Sequence, residues 1–151
     1  MHNAAGLRRV LSSAPVRVAA FTNQVREYLP PVDTLHSAVQ LANGATGTFT
    51  LSFGSNAQRN VLQLSAERGS LEFTDMNRIV VKDTEGKVIS DERYEGQFQH
   101  AVSRELNAFA DNVKEGKIAV LGSPEEAYRD LALIDAILDS GKANGAPQSL
   151  E

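Results

Sequence analysis

Cysteine is absent from the 151 residues of this chain, which removes disulfides, thiolate nucleophiles and cysteine-bound zinc together. Basic clusters are absent too, and with a net charge of −4 a nucleic-acid partner has no electrostatic support. No apolar run approaches the roughly 20 residues of a membrane span. The opening MHNAAGLRRVL has no apolar core of signal-peptide type before its arginines. A cytoplasmic chain with no membrane partner is therefore expected. Internal repeats and low-complexity segments are missing as well. What remains is ordinary: 42% hydrophobic and 23% charged residues suit a soluble globular protein. At this length one domain over residues 1–151 buries roughly 68–70% of the surface its unfolded chain exposes.

The usual motifs of chemistry are also missing. Asn43-Gly44-Ala45-Thr46-Gly47 has the composition of a phosphate loop but joins two strands and lacks the third glycine of a dinucleotide fingerprint. No G-x-S-x-G surrounds any serine. The histidines His2, His36 and His100 are scattered, without the helical i, i+4 spacing of metal ligands, so no metal site is expected. His36 falls on a strand face opposite Leu35, Val39 and Leu41, and His100 at a helix start.

The best-patterned stretch is DTLHSAVQLANGATGTFTLSF, residues 33–53. It reads as two strands joined at Asn43-Gly44, a pair that tolerates the positive φ of tight hairpin turns. In the second arm Gly47, Phe49, Leu51 and Phe53 point one way and Thr46, Thr48, Thr50 and Ser52 the other. The apolar set is expected under helices, the threonine set on an open face.

Around this hairpin the chain reads helix, about seven strands between residues 16 and 94, helix, helix. Ala4, Leu7 and Leu11 give residues 3–12 an apolar stripe, with Arg8 and Arg9 off it. Val102, Leu106, Phe109 and Val113 mark a second helix, stopped at Gly116. Ser123-Pro124-Glu125-Glu126 opens the third as a capping box, followed by the stripe Ala127, Leu131, Ile134 and Leu138. Strands segregated from helices mean α+β: a large, mostly antiparallel sheet of about six to seven strands with helices on one face and the other face open.

The segments APVRVAAFTNQ, PPVDTLHSAVQLANGATGTFTLSFGS, LSAERGSLEFTD and SPEEAYRDLALIDAILDSGKANG, in this order, resemble the C-terminal domain of the Gfo/Idh/MocA family, which includes glucose–fructose oxidoreductase and inositol dehydrogenase. The resemblance covers nearly all of the chain. It implies a substrate-binding and oligomerisation domain of an NAD(P)-dependent oxidoreductase acting on sugars, polyols or related small molecules. It also implies a homo-oligomer built through the open sheet face. A histidine at the start of the domain's opening helix often serves proton transfer in the family, and His2, followed by Asn3-Ala4-Ala5-Gly6-Leu7-Arg8, stands at that place.

The chain departs from the family in having no βαβ unit, no dinucleotide glycines and no Glu-Lys-Pro motif, and Met1 falls directly before His2. No cofactor is therefore expected on this chain, while NAD or NADP is implied for a full-length parent. A histidine with no cofactor opposite has no hydride transfer to assist, so the chain alone is expected to be inactive. The alternative is a free-standing, non-enzymatic oligomerisation or binding module that uses the same sheet face.

Overall fold

A computed structural model describes residues 2–56, 59–94, 101–119 and 122–150. The elements run α1 (His2–Leu11), β1 (Pro15–Asn23), β2 (Thr34–Leu41), β3 (Thr46–Ser52), β4 (Val61–Ala66), β5 (Gly69–Thr74), β6 (Arg78–Lys82), β7 (Val88–Arg93), α2 (Ala101–Glu115), α3 (Pro124–Lys142) and β8 (Gln148–Ser149). The α+β class and the antiparallel pairing are as expected, and the strands are hydrogen-bonded as two four-stranded sheets, β3-β2-β1-β8 and β4-β5-β6-β7. Packing is organised in two compact units, one made of Met1–Asn56 with Ala119–Glu151 and the other of Ala57–Ile118.

In the first unit, α3 lies across β1 and β2, and α1 packs beside α3. The core is Ala4 from α1, Val18 and Ala20 from β1, Leu35, Val39 and Leu41 from β2, Phe49 from β3, and Leu133 and Ile137 from α3. Ala4, Leu7 and Leu11 face inward as their spacing predicts. Leu41 and Ala45 close the β2–β3 hairpin, with the Leu41 N–H donating to the Ala45 carbonyl at 2.9 Å. In the three-residue loop between them only Gly44 takes positive φ, at 85°, while the Asn43 side chain accepts the Ala45 N–H at 3.1 Å.

Several inward-facing assignments change, among them Gly47, which is exposed at the start of β3. The buried line on α3 is Asp130, Leu133, Ile137 and Ser140, whereas Leu131 is 46% exposed. The helix is apolar over much of its circumference, so several stripes fit a spacing of three and four. The one that is buried includes two polar residues because each finds partners inside. Phe53, expected beneath the helices, is 70% exposed, since β3 ends at Ser52 before the buried Gly54.

Two-residue β8 escapes a search for alternation because Gln148 and Ser149 are both polar. It pairs with Val18 and Arg17 at the edge of β1. The adjoining edge is held by Ser140, fully buried, whose Oγ accepts the Ala20 N–H and donates to the Ala146 carbonyl, both at 2.8 Å. One hydroxyl thus ties the end of α3 and the chain after it to the sheet edge.

The second unit is an antiparallel meander. Gly69 opens β5 at φ 136°, and a Cβ there would fall 2.1 Å from the Lys82 carbonyl oxygen, so glycine is required for β5 to approach β6. Helix α2 forms over the predicted stripe, and Gly116 ends it at φ 64°. Among its described residues none is buried, and Val102, Leu106, Phe109 and Val113 are each more than 60% exposed. An amphipathic period fixes a helix and its stripe but not what the stripe meets.

Candidate functional site

His2 is the first residue of α1, and its side chain lies outside the described residues. Helix α1 itself packs beside α3. Arg8, off the apolar stripe of α1, is nonetheless only 12% exposed in its side chain and is clamped to α3. Its Nη2 donates to Glu126 Oε2 at 2.7 Å, and its Nη1 donates to the Glu126 carbonyl at 3.1 Å and to Asp130 Oδ1. Burial alone would lower the Arg8 pKa, but the hydrogen bonds and charges of Asp130 and Glu126 outweigh it and hold the guanidinium protonated.

Glu126 has a second partner, because its Oε1 accepts from Arg129 at 2.5 Å. That bond is the largest influence on its pKa and, joined by the weaker contribution of Arg8, lowers it against the opposing effect of burial, which ranks between the two. Both carboxylate oxygens are thereby occupied, so the capping box is one-armed. Ser123 Oγ accepts the Glu126 N–H at 3.3 Å as expected, while the Glu126 carboxylate serves Arg8 and Arg129. The signal that could have exposed this clamp is Asp130, a carboxylate three residues before Leu133 on the side of α3 that is buried.

The sheet face away from α1 and α3 is open. Cross-strand register arranges it in four rows: Arg17-Gln40-Thr46, Ala19-Ala38-Thr48, Phe21-His36-Thr50 and Asn23-Thr34-Ser52. The threonines expected on this face are there, with Thr46, Thr48 and Thr50 exposed. His36 is on it too, opposite the buried Leu35, Val39 and Leu41 as its parity predicts. Sequence alone did not reveal the register that sets Phe21, 68% exposed, beside His36. Arg17 is the one charged side chain in the four rows.

At the end of the rows Asp33, 4% exposed, organises the loop between β1 and β2. Its oxygens accept the N–H groups of Val25 at 2.9 Å and Arg26 at 2.7 Å and the Thr34 hydroxyl at 2.9 Å. Burial pushes its pKa up, and these three donors with the nearby Arg26 charge more than reverse that, leaving it below the ordinary carboxyl value. Arg26 in turn donates to the Gly54 carbonyl and to Asn56 Oδ1, each at 3.0 Å.

Elsewhere in this unit a shallow open groove between α3 and β8 is lined by Tyr128, Ala132, Asp135, Asp139, Gln148 and Ser149. It holds no nucleophile with a base, and Asp139 is engaged by Lys142 at 2.8 Å. His100 lies outside the described residues. Among the described residues no three histidine or acidic side chains cluster as metal ligands, and no helix is long and apolar enough to cross a membrane.

Those residues also do not fit a dinucleotide. All strand pairs are antiparallel, no glycine loop leads from a parallel strand into a helix, and the α3 N-terminus carries Glu125 and Glu126 where a pyrophosphate would need unopposed N–H groups.

Residues 1–147 match the family model for the C-terminal alpha/beta domain of the oxidoreductase family, Gfo/Idh/MocA. Dehydrogenase FPY6 of Fusarium mangiferae is 29% identical over 151 residues, covering 97% of this chain and 43% of that protein. The crystal structure of an oxidoreductase from Thermotoga maritima superimposes with a TM-score of 0.83 at 24% identity, over 98% of this chain and 41% of the other. An oxidoreductase from Agrobacterium radiobacter, solved in complex with NAD+, L-tartaric acid and magnesium, gives 0.75 at 18% identity, over 98% and 46%. The chain thus spans less than half the length of these relatives.

Proposed function

Because the chain belongs to the Gfo/Idh/MocA oxidoreductase family by its C-terminal alpha/beta domain, we propose that it is the substrate-side and subunit-contact half of an NAD(P)-dependent oxidoreductase. The substrates would be sugars, polyols or related small hydroxy and carbonyl compounds, in a cytoplasmic setting. A nicotinamide held by the remainder of a full-length parent would supply the hydride chemistry. This chain would contribute His2, whose imidazole would accept or return the proton of a substrate hydroxyl.

The observation that carries the reading is the Arg8 clamp. A side chain that exchanges protons with a substrate must be held by a rigid support. Arg8, Glu126 and Asp130 fix α1, with His2 as its first residue, to α3.

The open face would take a second copy of the chain. With no carboxylate in its four rows and Arg17 as the one cation, two such faces meet with little charge repulsion, although the chain as a whole is acidic. An oppositely charged partner would find only Arg17 to pair with.

Calorimetry and thermal melting with NADH and NADPH test the division of labour. Neither nucleotide should give heat of binding or raise the melting temperature of this chain. Saturable binding of either would refute the proposal. Thr50→Lys tests the contact, because it would bury an unpaired ammonium and should abolish association seen by light scattering. Unchanged association of this variant would remove the open face as the contact.

A further inference from the structure

We propose that Asn43 is a site of spontaneous covalent modification, closing onto the Gly44 nitrogen as a succinimide, while the fold spares the chain's other Asn-Gly pair, Asn144-Gly145. Both asparagines are exposed and lie in turns. In both, the following glycine sets no side chain in the way of ring closure. The two pairs are equal in sequence and unequal in surroundings.

At Asn43 the side chain is turned back over the peptide that follows, since its Oδ1 accepts the Ala45 N–H at 3.1 Å. This bond holds the carboxamide beside the Gly44 peptide and draws electron density from Cγ, the atom to be attacked. Space is open around Gly44, where a Cβ would meet nothing within 4 Å. The Gly44 N–H donates to the Leu41 carbonyl at 2.9 Å, so one hydrogen bond in the short hairpin loop must open before the nitrogen reacts.

At Asn144 the same closure is opposed. Gly145 is wedged against an aromatic ring, and a Cβ there would fall 2.8 Å from Phe21 Cζ. Its N–H donates to the Ser140 carbonyl at 2.8 Å, and the Asn144 N–H donates to the Gly141 carbonyl at 3.2 Å, in the turn that ends α3. The backbone shift that ring closure needs therefore has to displace Phe21 or unwind the helix end.

The chemistry needs only water. The Gly44 nitrogen gives its proton to solvent base and bonds to Asn43 Cγ, the Cγ–Nδ2 bond breaks, and Nδ2 leaves as ammonia. Water then opens the imide at either carbonyl. Attack at Cγ leaves aspartate, which keeps an oxygen for the Ala45 N–H. Attack at the main-chain carbonyl leaves isoaspartate, which adds a methylene to the backbone of the loop and disturbs the bond between Leu41 and Ala45 that closes the hairpin.

Incubation of the chain in mildly alkaline buffer below its melting temperature, followed by tryptic mass spectrometry, tests the proposal. The two asparagines fall in separate peptides, one between Arg26 and Arg59 and one after Lys142. Each conversion adds about 1 Da. In the folded chain Asn43 should convert at least about tenfold faster than Asn144, which must wait for local opening at the end of α3. In urea the two rates should converge. Phe21→Ala, at an exposed position, should accelerate Asn144 and leave Asn43 unchanged. Equal rates in the folded chain, or no conversion of Asn43 while the unfolded chain reacts, would overturn the proposal. A difference of the same size in urea would remove the fold as its cause, and an unmoved Asn144 in Phe21→Ala would remove the ring as the brake.

Discussion

Replacing Leu133 and Leu131 by alanine in turn separates the two possible inward lines of α3. Leu133 is fully buried, so Leu133→Ala removes three carbons from contact with the sheet. At about 0.8 kcal/mol for each buried methylene the transfer loss is about 2.4 kcal/mol. The cavity left between α3 and β1 adds to that and brings the total into the range of about 2–5 kcal/mol. Leu131, 46% exposed, loses only part of its transfer energy and leaves no enclosed void, so Leu131→Ala should cost about 1 kcal/mol or less. Urea unfolding followed by far-UV circular dichroism reads the difference as a shift in midpoint at unchanged slope. In thermal melts each kcal/mol corresponds to about 2–4 °C for a chain of this size. The reasoning is refuted if Leu131→Ala is as damaging as Leu133→Ala, because the helix would then turn its other side to the sheet.

Two further perturbations probe the polar anchors. Ser140→Ala leaves the Ala20 N–H and the Ala146 carbonyl without their shared partner, and should destabilise by about 2–4 kcal/mol in the same urea assay. A near-neutral result would mean that the end of α3 is not tied to the sheet edge through this hydroxyl. Asp33→Asn tests the loop between β1 and β2 by pH. A carboxyl whose folded pKa is depressed contributes stability that is fully present above its unfolded value of about 3.9 and is lost as pH falls through the folded value. The wild-type melting temperature should therefore fall more steeply than that of Asp33→Asn as pH drops below about 4, while the variant is the less stable of the two near neutral pH. Parallel pH curves for the two proteins would show that the carboxylate is not held by these donors.

The sequence by itself determined the local elements. The alternation in residues 46–52 has one regular solution, a strand with Phe49 inward and the threonines outward, and β3 buries Phe49 and exposes Thr46, Thr48 and Thr50 accordingly, while Gly47 is exposed at its start. The spacing of Ala4, Leu7 and Leu11 fixed the inward side of α1, and Ser123 with Pro124 fixed where α3 begins. These features depend on neighbours within a few residues, which is the range over which backbone geometry and capping operate.

Tertiary structure decided where several local solutions had similar merit. Asp130 and Ser140 are buried because Arg8 and the Ala20 N–H come from segments more than 100 residues away, and no count of apolar residues along α3 includes those partners. The same holds for the open face. Parity assigned His36 to the side opposite Leu35, but only the register of β1 with β2 set Phe21 next to it and left no acid among its neighbours. His2 is the intermediate case: its place at the first turn of α1 was legible from the sequence, while the clamp that holds this helix is a long-range charge pairing that became visible only in the fold.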